Sequence, residues 1–282
     1  MKRLNSLLQI KIRERAFIVF ALFLFCSLVF SVGVSAQQDK PGNKVPFEKP
    51  PEKDYYKKSQ QIVLVTTEDW NAVQGSLQRY ERKGKEWKPV GDAFDIVVGR
   101  SGLAWGTGLH EPQNQEPNKR EGDGKSPAGI FILSSAFGFA AKDEARFLRL
   151  PYTNVKESTE CVDDVKSNHY NRIVDKFQVG NYDWNSSEKM LAVGEQYRWG
   201  IFVDHNTYPR VKGNGSCIFL HIWANADSGT SGCTAMDKAN METLLKWLDE
   251  KKRPVLVQLP LSEYERLLKT WKLPSRNNKW QM

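Results

Sequence analysis

The sequence predicts a β-rich α+β fold, with a sandwich-like or barrel-like core and its helices late in the chain. Short apolar runs separated by turn residues recur between residues 61 and 221, whereas helical spacing of apolar residues is clear only after residue 237. Runs of this length, bounded by glycine and polar residues, are typical of strands. Aromatic residues make up 11% of the 282 residues, which is enough apolar surface for the core of one domain of about 200 residues.

The strand pattern begins at residues 61–67 and returns at intervals along the chain. Gly84 separates two stretches that predict a hairpin, while residues 70–79 fit either a helix or a strand. A long glycine-rich region covers 101–129 and predicts irregular backbone. The other predicted strands are 94–98, 130–133, 197–204, 217–221 and 255–259.

Two helices are predicted near the end of the chain. Asp237 has a side chain suited to an N-cap, and apolar residues from Met241 to Leu248 recur at helical spacing after it. Three basic residues at 251–253 suit the C-terminal end of that helix dipole, and Pro254 stops the helix. A last amphipathic helix is predicted over 262–273.

The first 36 residues have the pattern of a targeting segment. A basic stretch is followed by an apolar run over 16–34, and small residues at Val34 and Ala36 suit a cleavage site. The apolar run is long, so an uncleaved membrane anchor is the competing interpretation. Both interpretations predict an exported domain, in the periplasm or cell envelope. We therefore divide the chain into a signal peptide or anchor at 1–36, a flexible linker rich in Lys, Pro and Gln at 37–57, and one folded domain at 58–282.

The charge of the chain is mildly positive outside the targeting segment. The net charge is +8, and residues 1–36 hold five basic residues and one acidic residue, which leaves +4 for the remainder. This charge suits an anionic polymer, but no Lys/Arg block is present, so nucleic acid is not an expected partner. Membrane contact is expected only through the N-terminal segment, if that segment is not removed.

The predicted exported part has three cysteines, an odd number. In an oxidising compartment an odd count predicts one disulfide and one free thiol. We expect Cys161 and Cys217 to form the disulfide and Cys233 to stay free. Three reduced cysteines are the alternative.

His221 and Cys233 are the residues with the clearest catalytic pattern. His221 ends an apolar run, and Cys233 follows Gly232 on a polar turn twelve residues later. A histidine beside a cysteine makes a thiolate nucleophile, and the N–H groups of Gly232 and Cys233 are candidate donors to an oxyanion. The alternative is an inert buried cysteine beside a core histidine.

Several other residues are candidates for substrate contact or for a metal. His205 follows a predicted strand and could line the same cleft, and Lys125 and Trp223 could contact substrate, although a strand-end histidine and a core tryptophan are the alternatives. The residue types of His205, His221, Cys217 and Cys233 suit zinc, but no short paired-ligand spacing supports a zinc site, and no metal or cofactor is expected. The Gly-Lys-Ser of residues 124–126 lacks the first glycine of a phosphate loop.

Residues 230–236, Thr-Ser-Gly-Cys-Thr-Ala-Met, together with His221, resemble the catalytic signature of the YkuD-type L,D-transpeptidases. Further blocks at 122–131, 161–175 and 197–206 strengthen this resemblance, which covers roughly 60–260. It implies a YkuD-like, β-rich domain that cross-links or remodels peptidoglycan. In that family a cysteine attacks the amide after the third residue of a stem tetrapeptide, and the acyl group passes to an amine or to water.

Carried over to this chain, the resemblance implies that Cys233 is the nucleophile, that His221 is its base and that Gly232 helps to form the oxyanion hole. Thr230 and Ser231 are then expected to contact the stem peptide. The chain departs from the common family pattern at Ser231, where a histidine is usual, and at Ala235, where an arginine is frequent. These departures make hydrolysis by the same pair the main alternative to transpeptidation, and a non-catalytic wall-binding module is the third hypothesis.

Overall fold

A computed structural model of the chain describes residues 50–141 and 143–276. The predicted signal or anchor segment and most of the predicted linker lie outside the described residues. The described end of that linker contains the short helix α1, Tyr55–Lys58, whose tyrosines pack against the core. Within the described ranges, none of the helices has the length and apolar character needed to cross a bilayer.

Thirteen strands lie in the described part of the chain, and eight of them form a closed sheet. The closed order is β10, β11, β12, β3, β2, β1, β13 and β5, because β5 pairs with β10 as well as with β13. The strands are β1 Gln61–Thr67, β2 Gln74–Lys83, β3 Glu86–Val97, β4 Leu103–Trp105, β5 Ser126–Gly138, β6 Tyr152–Asn154, β7 Thr159–Val162, β8 Arg172–Asp175, β9 Glu188–Lys189, β10 Gly200–Val203, β11 Phe219–Ile222, β12 Thr234–Met236 and β13 Val255–Pro260.

Closure leaves most strand edges paired, as in a barrel. Two of the pairings around the ring, β1 with β13 and β11 with β12, are parallel, and the others are antiparallel. The short strands β4 and β6 also pair with β5. The prediction of a β-rich, barrel-like core is therefore confirmed.

The helices lie mainly late in the chain and cover the core. In helix α3, Lys238–Trp247, the side chain of Asp237 accepts a hydrogen bond from Ala239 N–H at 2.7 Å, as the sequence predicts for an N-cap. Met241, Leu244 and Leu245 of this helix are buried. The other helices among the described residues are α2 Lys176–Val179 and α4 Leu261–Leu267.

Several predicted boundaries differ from the structure. β5 has 13 residues, all buried, where only 130–133 was predicted, because its extension consists mainly of small and polar residues, which lack the apolar pattern of a strand. Ser134, for example, donates to Asp204 Oδ1 at 2.5 Å. The predicted strand at 197–204 begins only at Gly200, since Tyr197 ends a 3-10 helix. The basic residues 251–253 lie after helix α3, which ends at Trp247, and the last helix ends at Leu267.

A second, three-stranded sheet, not predicted from the sequence, is attached to the barrel by a disulfide. Its central strand β7 pairs with β8 and β9, so Cys161 lies opposite Ile173 on one side and Glu188 on the other. Cys161 is bonded to Cys217, just before β11. This is the pairing predicted from the odd cysteine count, and Cys233 is left free.

We expect the double variant Cys161→Ala/Cys217→Ala to lose about 4 kcal/mol of unfolding free energy, because the crosslink spans a sequence separation of 56 residues and restricts the unfolded chain. Urea denaturation of the oxidised protein measures this loss. Cys233→Ala, which keeps the disulfide, is the control. A double variant as stable as this control would contradict the prediction.

Candidate active site

His221 lies on β11 in a state suited to accept a proton. Its ring Nδ1 is 2.8 Å from the carbonyl oxygen of Ile222. A carbonyl oxygen only accepts hydrogen bonds, so Nδ1 carries the proton and Nε2 is left with a free lone pair. Burial lowers the pKa of His221 to about 4. The resting imidazole is therefore neutral, as a general base must be.

Cys233 ends a tight turn immediately before β12. Its Sγ accepts a hydrogen bond from Phe219 N–H at 3.3 Å and donates to the carbonyl oxygen of Cys217 at 3.5 Å. Burial raises the pKa of Cys233 to about 12, with the nearby Glu188 carboxylate adding to the effect. The sulfur is thus a thiol at rest. The expectation of a preformed thiolate is wrong for this state, because the surroundings of the sulfur are too dry to stabilise a charge.

The two residues face the same side of the sheet. Phe219 and His221 are two residues apart on β11, so their side chains share a face. The ring of Tyr197 packs 5.6 Å from the ring of Phe219 and 5.3 Å from that of His221. Tyr197, Phe219 and Cys233 belong to one buried apolar cluster. The predicted nucleophile and the predicted base therefore both adjoin the packed rings of Tyr197 and Phe219.

The turn that presents Cys233 is held by two hydroxyl groups. Thr230 Oγ1 accepts from Gly232 N–H at 3.0 Å and donates to the carbonyl oxygen of Cys233 at 2.6 Å. Ser126 Oγ donates to the same carbonyl at 2.7 Å. Gly232 has φ +153°, a value that side chains rarely adopt.

These contacts correct two of the expected roles. The N–H of Gly232 is already donated to Thr230, so it is not free for an oxyanion in this state, and the Cys233 N–H is the candidate that remains. Gly232 instead supplies the backbone conformation of the turn. Thr230, expected to contact substrate, uses its hydroxyl to hold that turn.

Of three other expected contact residues, Ser231 and Lys125 lie at the turn, and Trp223 lies at the far end of β12, where its N–H donates to the Met236 carbonyl. Ser231 is exposed, and its Oγ accepts from Arg100 Nη1 at 3.3 Å. The backbone of Lys125 adjoins Gly232, while its ammonium group donates to the Ser101 carbonyl at 2.6 Å. Trp223 is half-buried directly after β11. All three are available at the border of the site.

His205 does not reach this border. It is 1% exposed, its Nδ1 accepts from Thr107 N–H at 3.2 Å, and its Nε2 lies 2.8 Å from the Asn214 carbonyl. Burial lowers the pKa of His205 to about 3. With both ring nitrogens bonded to backbone, His205 stabilises the fold, and the expectation that it lines the cleft is wrong. Zinc binding by the four residues considered above fails as well, since Cys217 is in the disulfide.

Sequence reasoning missed Tyr197 and Glu188. Tyr197 O–H donates to Glu188 Oε1 at 2.7 Å. Burial, together with the neighbouring carboxylate of Asp163, raises the pKa of Glu188 to about 7, while the hydrogen bond from Tyr197 acts in the opposite direction. Tyr197 lay inside a block of the family resemblance, but as the expected start of a strand. Glu188 gave no local signal, because its position depends on the pairing of β9 with β7.

Comparison with known proteins gives one family match. The YkuD family, whose model describes the L,D-transpeptidase catalytic domain, matches residues 74–257, which is more than half of the chain. This range contains both sheets except β1 and the last three residues of β13. A search of curated protein sequences found no match.

Comparison with solved structures gives matches at low identity, of which two are described. One is the helical cell shape determining protein Pgp2 from Campylobacter jejuni, with 15% identity and a TM-score of 0.34, over 71% of this chain and 47% of that one. The other is Bd1075 from Bdellovibrio bacteriovorus, with 12% identity and a TM-score of 0.36, over 76% of this chain and 55% of that one. This chain therefore spans about half the length of each.

We expect Thr230→Val to lower the unfolding free energy by about 1–3 kcal/mol, because it leaves Gly232 N–H without its acceptor and removes one donor to the Cys233 carbonyl. Thr230→Ser keeps the hydroxyl and is the matched control. Urea denaturation measures both variants. Equal stability of the valine and serine variants would show that these two hydrogen bonds do not hold the turn.

We expect His221 to stay neutral at every pH above about 4. Its folded pKa lies below the ordinary value of 6.5, so lowering the pH from 7 to 5 leaves Nε2 unprotonated and able to act as a base. NMR titration of the His221 ring measures the midpoint. A midpoint near 6.5 would contradict the burial that the structure assigns to this side chain.

Proposed function

The chain belongs to the YkuD family of L,D-transpeptidase catalytic domains, and from this membership we propose that it is a cysteine acyltransferase acting on peptidoglycan stem peptides. The observation that carries the proposal is the pair of neutral groups at one end of β11: a thiol at Cys233 that accepts from Phe219 N–H, and an unprotonated imidazole at His221, two residues further along the same strand. A neutral acid and a neutral base are the reactants that general-base activation of a nucleophile requires.

The first half of the proposed reaction forms an acyl-enzyme. His221 Nε2 takes the proton of the Cys233 thiol as the sulfur attacks the carbonyl carbon of a stem-peptide amide, and a C–S bond forms. The Cys233 N–H is the candidate donor to the oxyanion that develops. The intermediate then collapses, the C–N bond breaks, and the imidazolium returns its proton to the leaving amine.

The second half passes the acyl group to an acceptor. In transpeptidation the acceptor is an amine of another stem, whose proton goes to His221 as the new amide forms and the C–S bond breaks. In hydrolysis water takes the same place. Ser231 and Ala235 favour this second candidate, because they replace a histidine and an arginine that are frequent in the family, and Ala235 is fully buried.

The same proposal assigns a cellular location to the domain and names the residues that would contact the substrate. Residues 1–36 would direct the domain out of the cytoplasm to the periplasm or cell envelope, where peptidoglycan lies, and 37–57 would separate the domain from the membrane. Ser231 and the Lys125 segment would line the stem peptide next to the turn that carries Cys233, and Trp223 would contact it further along, beyond β11. Cys233 keeps a free thiol while Cys161 and Cys217 form a disulfide, which fits an exported enzyme with a cysteine nucleophile.

We expect Cys233→Ala to abolish product formation from muropeptides, because no other free cysteine lies in the described part of the domain. Ser228→Ala, an exposed change in the loop between His221 and Cys233, is the matched control and should keep full activity. Chromatography with mass spectrometry of the products measures both. Turnover by Cys233→Ala would rule out the mechanism.

Defined tetrapeptide substrates, with and without an amine donor, separate the two candidate functions. Cross-linked or amine-exchanged products identify a transferase, and shortened stems alone identify a hydrolase. If the wild-type protein gives neither product but still binds wall sacculi, the proposal of an enzyme fails and the non-catalytic binding module is the better hypothesis.

A further inference from the structure

A narrow cleft outside the candidate active site contains a buried carboxyl group. The cleft lies where the loop at 107–109 meets the segment after β10, and it holds about 340 Å³ of empty space, part of which is open solvent. Asp204 is one of the residues that line it and is only 6% exposed. The small size of the cleft limits an occupant to the end of a side chain or to a small molecule.

Only one of the two carboxyl oxygens of Asp204 has a partner. Oδ1 accepts a hydrogen bond from Ser134 Oγ at 2.5 Å, whereas Oδ2 is buried and has no hydrogen-bond partner among the described residues. A buried polar atom costs free energy unless another group bonds to it, and a buried carboxylate needs a cation as well. The fold therefore leaves half of the bonding capacity of this acid unused.

The other charged and titratable groups around Asp204 do not fill this role. Arg210 favours the charged form of the carboxyl group, but its Nε donates to the Asn171 carbonyl at 3.4 Å, and Asp204 Oδ2 stays unbonded. Tyr55 of helix α1 faces the same carboxyl group, and burial together with the charge of Asp204 raises the pKa of its phenol. Burial raises the pKa of Asp204 itself to about 8, so a cation that enters the cleft near neutral pH would replace a proton.

Backbone hydrogen bonds hold the walls of the cleft. Asp204 N–H donates to the Ile132 carbonyl at 2.9 Å, which fixes the segment after β10 to β5. Asn206 N–H donates to the Thr107 carbonyl at 2.9 Å, which fixes the loop at 107–109 to that same segment. The cleft is therefore formed before an occupant enters it, and binding does not have to order its walls.

The lining combines the acid with apolar surface. Pro51, Leu109 and Ile132 supply apolar side chains, and the half-exposed Tyr208 adds an aromatic ring. None of the described lining residues carries a positive charge. An apolar chain that ends in a cation matches this lining, since its methylene groups can lie on apolar surface while the cation meets the carboxylate. A primary ammonium group also brings three N–H donors.

We propose that this cleft binds the end of an alkylammonium group, with the ammonium bonded to Asp204 Oδ2 and the alkyl chain against Leu109 and Ile132. The inference goes beyond the proposed acyl transfer and does not depend on it, because none of these residues belongs to the candidate active site. Two sources carry such a group, namely the lysine side chains of proteins and the free side-chain amines of stem peptides. The cleft recognises the chemistry that the two sources share.

Methyl NMR of Leu109 and Ile132 tests the site, with n-butylammonium as the probe and 1-butanol as its uncharged counterpart. At about pH 8.5 most Asp204 carboxyl groups are charged, and an alkylammonium still holds its proton. We expect butylammonium to shift both methyl signals saturably and to bind at least tenfold more tightly than butanol, because only the ammonium forms a charge-assisted hydrogen bond with Oδ2.

Asp204→Asn keeps an acceptor for Ser134 and removes the negative charge. This variant should bind butylammonium at least tenfold more weakly than wild type and should bind butanol as wild type does. Asp227→Asn, an exposed change in the loop after β11, is the matched control and should follow wild type. Titration of wild type with Nα-acetyl-lysine amide and with a stem tripeptide that has a free side-chain amine compares the two sources. Saturable binding of either supports the proposal, and the tighter ligand identifies the source.

Three results would overturn the proposal. Equal binding of butylammonium and butanol to wild type would show that only the apolar surface matters, and this comparison needs no variant and so does not depend on how well Asp204→Asn folds. Wild-type affinity of Asp204→Asn for butylammonium would remove the acid from the site. Failure of both the lysine amide and the tripeptide to bind would show that the cleft admits a small ion but neither source of it.

Discussion

The parallel pairing of β11 with β12 is the contact on which the candidate site depends. It sets His221 beside Ala235 and Leu220 beside Thr234, so the turn before β12 delivers Cys233 next to the Phe219 amide. Alternation along β11 then sends the Phe219 and His221 side chains to the face where the sulfur lies. A shift of one residue in this register would send His221 to the opposite face, and no nearby group in the turn would replace it as a base.

Desolvation governs the chemistry that this geometry allows. The same burial that lowers the pKa of His221 raises the pKa of Cys233, so the pair rests in its uncharged form. An ion pair of thiolate and imidazolium would need polar groups or water to stabilise its charges, and few of these lie near the buried side chains. A proton is thus expected to move only when substrate brings the electrophile to the sulfur, and a thiol held in this way is poorly reactive towards other compounds until then.

The sequence was most informative where local chemistry decides structure. Asp237 predicted its helix because an N-cap is a contact within one turn, and the His221–Cys233 pair followed from a strand end and a glycine turn. The long β5 was predicted only in part, because a polar residue such as Ser134 does not indicate a buried strand. Its burial depends on the hydrogen bond to Asp204, which lies far away in the sequence. His205 has the residue type of a site but lies in the core, and Glu188 has an ordinary local sequence yet is brought to the Tyr197 hydroxyl by a sheet pairing. Distant pairings of this kind leave no periodic trace in a single sequence.

The parallel pairing of β1 with β13 has a consequence for the order in which the domain is completed. Ile62 lies beside Val255, so the strand that enters the fold first waits for almost the last one before the ring can close. Until β13 arrives, β1 and β5 each present an open hydrogen-bonding edge, and such long-range closure is intrinsically slow. A chain that emerges stepwise from a ribosome or an export channel would therefore keep the edges of β1 and β5 unpaired until β13 has emerged. Chaperones that bind extended segments would protect these unpaired edges while the domain folds.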